Sequence, residues 1–135
     1  MSHFLPVPPV LIVDDDRSTR FFLRTALESH GLRVVEAEHG ERGVALYAQH
    51  RPGAAIVDYR MAGMDGVECC RRLRQAAGPD DLAIVMLTGR EDPSLPAQAT
   101  AAGADRFFNK PVHWFGLAST VRDLLTKGTG GPVAA

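Results

Sequence analysis

The chain has little of what would mark it for an oxidising compartment, a membrane or a nucleic acid. Two cysteines occur in 135 residues, Cys69 and Cys70, and they are adjacent. Sequence neighbours rarely bridge, and no CxxC spacing is present, so neither a disulfide framework nor a zinc site is indicated. A reducing, cytoplasmic setting fits best. Basic residues show no excess: Lys plus Arg is 15 against 16 Asp plus Glu, a formal net charge of -1. That balance argues against direct binding to a phosphate backbone. No apolar run approaches the roughly 20 residues that span a bilayer, so no membrane association is expected. Met1 to Pro9 lacks both the cationic start and the apolar stretch of a secretory signal. What is present is ordinary globular composition, 45% hydrophobic and 23% charged, enough for one domain with a buried core.

Short apolar runs alternate with amphipathic stretches. The runs are Val10 to Val13, Leu32 to Ala37 around Val34-Val35, Ala54 to Val57, Ala83 to Leu87, and Phe107-Phe108. Three are continuously apolar, as parallel strands covered on both faces require. Between them, Phe22/Ala26 and Leu23/Leu27 repeat at i, i+4 until Gly31. Val44, Tyr47 and Ala48 form a second stripe, and Val67, Cys70 and Leu73 a third, ended by Gly78-Pro79. Leu117, Val121, Leu124 and Leu125 make the last. Pro93 and Pro96 restrict the fourth helix to about Leu95 to Ala102, because proline fits a first turn but not a helix interior. Five β/α units predict an α/β fold, a doubly wound five-stranded parallel sheet with right-handed crossovers.

In such a sheet the site forms at the carboxyl ends of the strands. The first strand ends in Asp14-Asp15-Asp16, the third in Asp58, the fourth in Thr88-Gly89, and the fifth in Asn109-Lys110-Pro111. Carboxylates gathered on one rim repel unless a cation neutralises them. Oxygen-only ligands suit a hard ion such as Mg2+ (or Mn2+). Lys110 and the Thr88 hydroxyl are placed to hold phosphoryl oxygens, and an ionised Asp58 can attack phosphorus without a general base.

The set Val13-Asp14-Asp15-Asp16, Ile56 to Gly66 (IVDYRMAGMDG), Leu87-Thr88-Gly89, Ala102-Gly103-Ala104-Asp105 and Lys110-Pro111 resembles the receiver domain of two-component response regulators, of the single-domain, chemotaxis-regulator-like kind. The resemblance covers about Val10 to Lys127. It implies a flavodoxin-like fold with strand order 2-1-3-4-5, and two helices on one face with three on the other. It divides the chain into an extension (1–9), the receiver (10–127) and a flexible tail (128–135). A single-domain regulator and the receiver of a longer protein both fit. Asp58 matches the phosphoacceptor. Asp15 matches the direct Mg2+ ligand, Asp14 its partner acting largely through water, and the Arg60 carbonyl a third protein ligand beside Asp58. Lys110 matches the lysine that pairs with the phosphoryl group, and Thr88 and the Gly89 amide the donors to it. Phe107 matches the aromatic switch residue, and Pro111 a proline joined through a cis bond. The implied donor is a histidine kinase or histidine phosphotransfer protein. The implied output is a downstream protein docked on the fourth helix, fifth strand and fifth helix.

The chain departs from the family pattern in places. Ala62 replaces the proline usual after Met61, Phe107 lacks a tyrosine hydroxyl, and Arg60 and Arg90 place bulky cations beside the pocket. A phosphatase of the aspartyl-phosphate type would need an acid two residues after Asp58, where Arg60 stands. A receiver-shaped module that signals without phosphate is the other alternative. Elsewhere plain roles are expected. Asp16 or Ser18 caps the first helix. The five histidines lie on the surface. One of Cys69 and Cys70 is core and the other partly exposed, and of Trp114 and Phe115 one is core and the other part of a partner patch. Arg71, Arg72 and Arg74 form a solvated face.

Overall fold

The structure, a computed structural model, describes residues 3–89 and 92–127. Five strands, β1 (Val10–Val13), β2 (Val34–Ala37), β3 (Ala54–Asp58), β4 (Ala83–Thr88) and β5 (Arg106–Asn109), alternate with five helices. The helices are α1 (Arg17–Ser29), α2 (Gly40–His50), α3 (Gly66–Ala77), α4 (Leu95–Ala101) and α5 (Trp114–Lys127). All strand pairs are parallel, as the apolar runs predict, and the order is β2-β1-β3-β4-β5, as the family resemblance implies. Every residue of β1, β3 and β4 is buried, which explains why these three strands read as unbroken apolar runs. The edge strands β2 and β5 are only partly covered, and β2 tolerates Glu36.

Two apolar clusters cover the two faces of the sheet. Leu23, Leu27, Leu117 and Val121 place α1 and α5 on one face, with Trp114 packed against them. Leu46, Tyr47, Leu73 and Ala99 place α2, α3 and α4 on the other, with Phe107 partly buried at its edge. Phe115 remains 51% exposed, and Trp114 is partly buried against the α1–α5 cluster rather than within it.

Local chemistry sets the helix ends. The Asp16 carboxylate accepts from the Thr19 amide and hydroxyl and caps α1. His39 and His113 are exposed, as expected, but are also caps: each Nδ1 accepts an amide hydrogen three residues on, from Arg42 and Gly116. Two expectations fail. Both cysteines are fully buried, because α3 packs between α2 and α4 and a wide arc of it is covered. Burial pushes their thiols up to about 12 for Cys69 and about 11 for Cys70, leaving them unreactive. Arg74 is not on a solvated face. Its guanidinium donates to the carbonyls of Gly78, Leu82 and Gly103 and to Asp105, tying α3 to the loops below β4 and β5. Arg71 and Arg72 do lie outside, paired with Glu68.

Helix α4 is the weakest element. It has seven residues, only Leu95 and Ala99 are buried, Pro96 lies in its first turn, and Ser94 makes no side-chain cap. Amide exchange over 97–101 is therefore expected to be faster than in the buried turns of α5. Slow exchange throughout the segment would contradict this.

Candidate phosphoacceptor site

The carboxyl ends of β1, β3, β4 and β5 bring the predicted residues to one rim. Asp14, Asp15 and Asp58 each present a carboxylate oxygen within 4.8 Å of the others. Asp14 and Asp58 are 1% and 4% exposed, while Asp15 is open to solvent. Lys110 reaches across from the end of β5, its Nζ 2.8 Å from Asp58 Oδ1. The Lys110 amide donates to the Thr88 carbonyl at 2.7 Å, and Lys110-Pro111 is cis. Thr88 is buried at the end of β4, and Gly89 is exposed beside it. The Arg60 amide donates to Asp58 Oδ2 at 3.1 Å, which folds the main chain of residue 60 over the pocket. The Ala62 amide donates to Asp15 Oδ2 at 3.2 Å, a contact the sequence pattern did not reveal. Arg60 itself is exposed and makes no ion pair among the described residues. With Asp15, Tyr59, Met61 and Asp65 it lines an open groove beside the carboxylates. Arg90 lies outside the described residues.

Burial governs the charges here. Desolvation raises the carboxyl of Asp58, opposed by its hydrogen bond and charge pairing with Lys110. Burial pulls Lys110 down, yet pairing with Asp58 outweighs it and the ammonium is held above its usual range. The carboxylate is the more deeply buried partner, so the cost of the pair falls on Asp58. Asp14 is pushed up from 3.8 to about 6, chiefly by burial, with the Asp16 amide opposing and the charges of Asp58 and Asp15 reinforcing. Its Oδ1 accepts from the Asp16 amide at 2.8 Å. Its Oδ2 is the only buried side-chain polar atom without a hydrogen-bond partner among the described residues. A buried carboxylate oxygen with no donor is costly, and an oxygen-only set around it fits a hard divalent cation.

A pH dependence follows. The folded state holds the Asp14 proton more tightly than the unfolded chain across roughly pH 4 to 6. Stability from this group is therefore present below pH 4 and lost as pH rises through about 6. The loss is on the order of 3 kcal/mol for a shift of this size. Without divalent cations, wild type is expected to weaken relative to Asp14→Asn between pH 4 and pH 7 in urea unfolding. A pH-independent difference between the two would refute it.

The model of the response regulator receiver domain matches residues 10–122. The chain belongs to this family. The receiver is 39% identical over 120 residues to the response regulator MprA of Mycolicibacterium vanbaalenii, covering 89% of this chain and 51% of that protein. It is 35% identical over 122 residues to the transcriptional regulatory protein AfsQ1 of Streptomyces coelicolor, covering 90% and 53%. The chain thus spans about half the length of these curated relatives. Among solved structures, a CheY-like receiver domain protein of Methanospirillum hungatei superposes with a TM-score of 0.83 at 25% identity, covering 90% and 95%. The Vibrio cholerae chemotaxis protein CheY4 gives 0.80 at 29%, covering 88% and 99%. The fold is therefore the CheY-like, flavodoxin-like one, and this receiver belongs to a family of two-component signalling domains.

Proposed function

We propose that this receiver accepts a phosphoryl group on Asp58 from a phosphohistidine of a histidine kinase or phosphotransfer protein, and relays it as a change of surface. The observation that carries this reading is the buried Asp58 carboxylate, held 2.8 Å from Lys110 beside Asp14 and Asp15. Asp58 attacks phosphorus, the nitrogen–phosphorus bond of the donor breaks, and an oxygen–phosphorus bond to Asp58 forms. Lys110 then pairs with the phosphoryl oxygens, with Thr88 and the Gly89 amide donating to them. Asp14, Asp15, Asp58 and the Arg60 carbonyl would hold Mg2+, which supplies charge neutralisation for the incoming phosphoryl group. Water later attacks phosphorus and releases phosphate. Meanwhile Thr88 shifts toward the phosphoryl group and Phe107 turns inward, biasing the surface of α4, β5 and α5 toward a downstream protein. Residues 10–127 form the receiver unit in this reading.

Acetyl phosphate with Mg2+, followed by intact mass, tests it. A mass gain of one phosphoryl group that decays is expected. Turnover without accumulation would indicate a phosphatase, and no gain a module that signals without phosphate.

Arg60 is expected to prolong the phosphorylated state. Its exposed guanidinium stands at the mouth of the pocket, and Arg90 follows Thr88 by two residues. A planar cation over the phosphoryl oxygens excludes attacking water. An arginine finger would do the opposite, but it needs fixed geometry, and nothing anchors Arg60 among the described residues. Replacing both, Arg60→Asn with Arg90→Ala, should speed loss of the phosphoryl group roughly tenfold, about 1.4 kcal/mol of barrier. Unchanged lifetimes would mean that both point into solvent, and longer ones that they assist hydrolysis.

A further inference from the structure

The edge strand β2 carries none of the site residues, yet it determines where Asp14 stands. The Asp14 amide donates to the carbonyl of Ala37, the last residue of β2, at 3.1 Å. The Asp14 carbonyl accepts from Arg20 Nη1 at 2.7 Å. Arg20 is fixed in turn by β2, its Nε 3.2 Å from Glu36 Oε1. The other oxygen of Glu36 accepts from Arg24 Nε at 2.5 Å, and Arg24 also donates to Glu28 Oε2 and the Val34 carbonyl. With Oδ1 held by the Asp16 amide, every polar atom of Asp14 except Oδ2 is committed.

We infer that Arg20, held by the Glu36–Arg24 pair, is a positioning residue for the divalent-cation site: its fork fixes the main chain of Asp14 so that its carboxylate stays beside those of Asp15 and Asp58. The physical need is clear. Three carboxylates within 4.8 Å push one another apart. Mg2+ tolerates little error in ligand placement, so a main-chain anchor beside Asp14 acts on affinity. The Arg20 side chain is only 16% exposed. It occupies the helix stripe of Leu23 and Leu27, where a cation requires partners. Glu36 neutralises it, so the anchor adds little net positive charge next to a cation site.

The inference rests on the acidic pocket being that cation site, and the experiment separates the two. Mg2+ is titrated calorimetrically into the full chain, wild type first. Absence of binding by wild type would overturn the cation-site reading and the inference with it. Charge and positioning then predict opposite signs. If Arg20 acted only as a charge, Arg20→Met would bind Mg2+ more tightly and Arg20→Lys would match wild type. Positioning predicts that both bind about tenfold more weakly, because neither keeps a fork that joins Glu36 to the Asp14 carbonyl. Unchanged or tighter binding in either would overturn the inference. Arg24→Gln, on a more exposed side chain, serves if the Arg20 variants do not fold. It should weaken Mg2+ two- to threefold by loosening Glu36, whereas loss of a positive charge alone would strengthen it. A lowered melting temperature with wild-type Mg2+ affinity would also overturn the inference, by making Arg20 purely structural.

Discussion

Asp58→Asn is expected to abolish phosphoryl acceptance and to leave a folded, more stable metal-free protein. The loss of acceptance should be complete, with labelling by acetyl phosphate falling to background, since an amide is no nucleophile at neutral pH. The gain in stability rests on burial. Asp58 is 4% exposed and desolvation is the largest influence on its carboxyl. It also faces the charges of Asp14 and Asp15 across less than 4.8 Å. The opposing effect is loss of the 2.8 Å pair with Lys110. That ammonium is 30% exposed and can turn to water, whereas the carboxylate cannot, so relief of the buried charge wins. Thermal unfolding without divalent cations should show a raised midpoint. Stoichiometric labelling of the mutant would remove Asp58 from its role, and a lowered midpoint would mean that the Lys110 pair dominates.

Gly66→Ala is expected to cost about 2–3 kcal/mol and to lower the melting temperature by roughly 10 °C. Helix propensity alone predicts the reverse, since Gly66 is the first residue of α3 and Ala favours a helix by up to about 1 kcal/mol. Packing decides the sign. A Cβ on residue 66 would lie 2.4 Å from the Asp58 carbonyl oxygen and 2.6 Å from Tyr59 Cα. Both are main-chain atoms, so no rotamer change relieves the contact. The loop must move, and it carries Asp58 and the amide of Arg60. Phosphoryl acceptance should therefore slow along with the loss of stability. Equal or greater stability of the alanine variant in urea unfolding would show that the loop gives way at little cost.

Much of the site was legible in the residues because its chemistry is carried by a few side chains at strand ends. Asp14, Asp15, Asp58, Thr88 and Lys110 fall where apolar runs stop, and a parallel sheet sends such positions to one rim. The misreadings have a common cause. Arg74 follows two exposed arginines on α3 and has nothing local to distinguish it. Its partners are carbonyls and a carboxylate up to 31 residues away. The expectation that one of Cys69 and Cys70 is partly exposed fails for the same reason, since a helix covered on two sides shows no clean stripe. His39 and His113 lack any metal-ligand spacing and so read as bland surface residues. Their capping depends on the ring turning back to an amide, which residue type alone does not dictate.

From the sequence by itself came the number and order of the β/α units, the burial of the three central strands and the acidic rim. Each follows from local apolar period, from proline and glycine placement, and from the rule that parallel strands present their ends together. Only the tertiary structure decided how each carboxylate is held: the Ala62 amide on Asp15, Arg20 on the carbonyl of Asp14, the Arg60 amide on Asp58, and one Asp14 oxygen left without a donor. The Ala62–Asp15 contact joins residues 47 apart in the chain, and Arg20, though only six residues from Asp14, is oriented by Glu36 of β2. Their geometry is set by the twist and packing of the sheet, to tenths of an ångström, and such differences decide whether a buried charge is paired or exposed to its neighbours' repulsion.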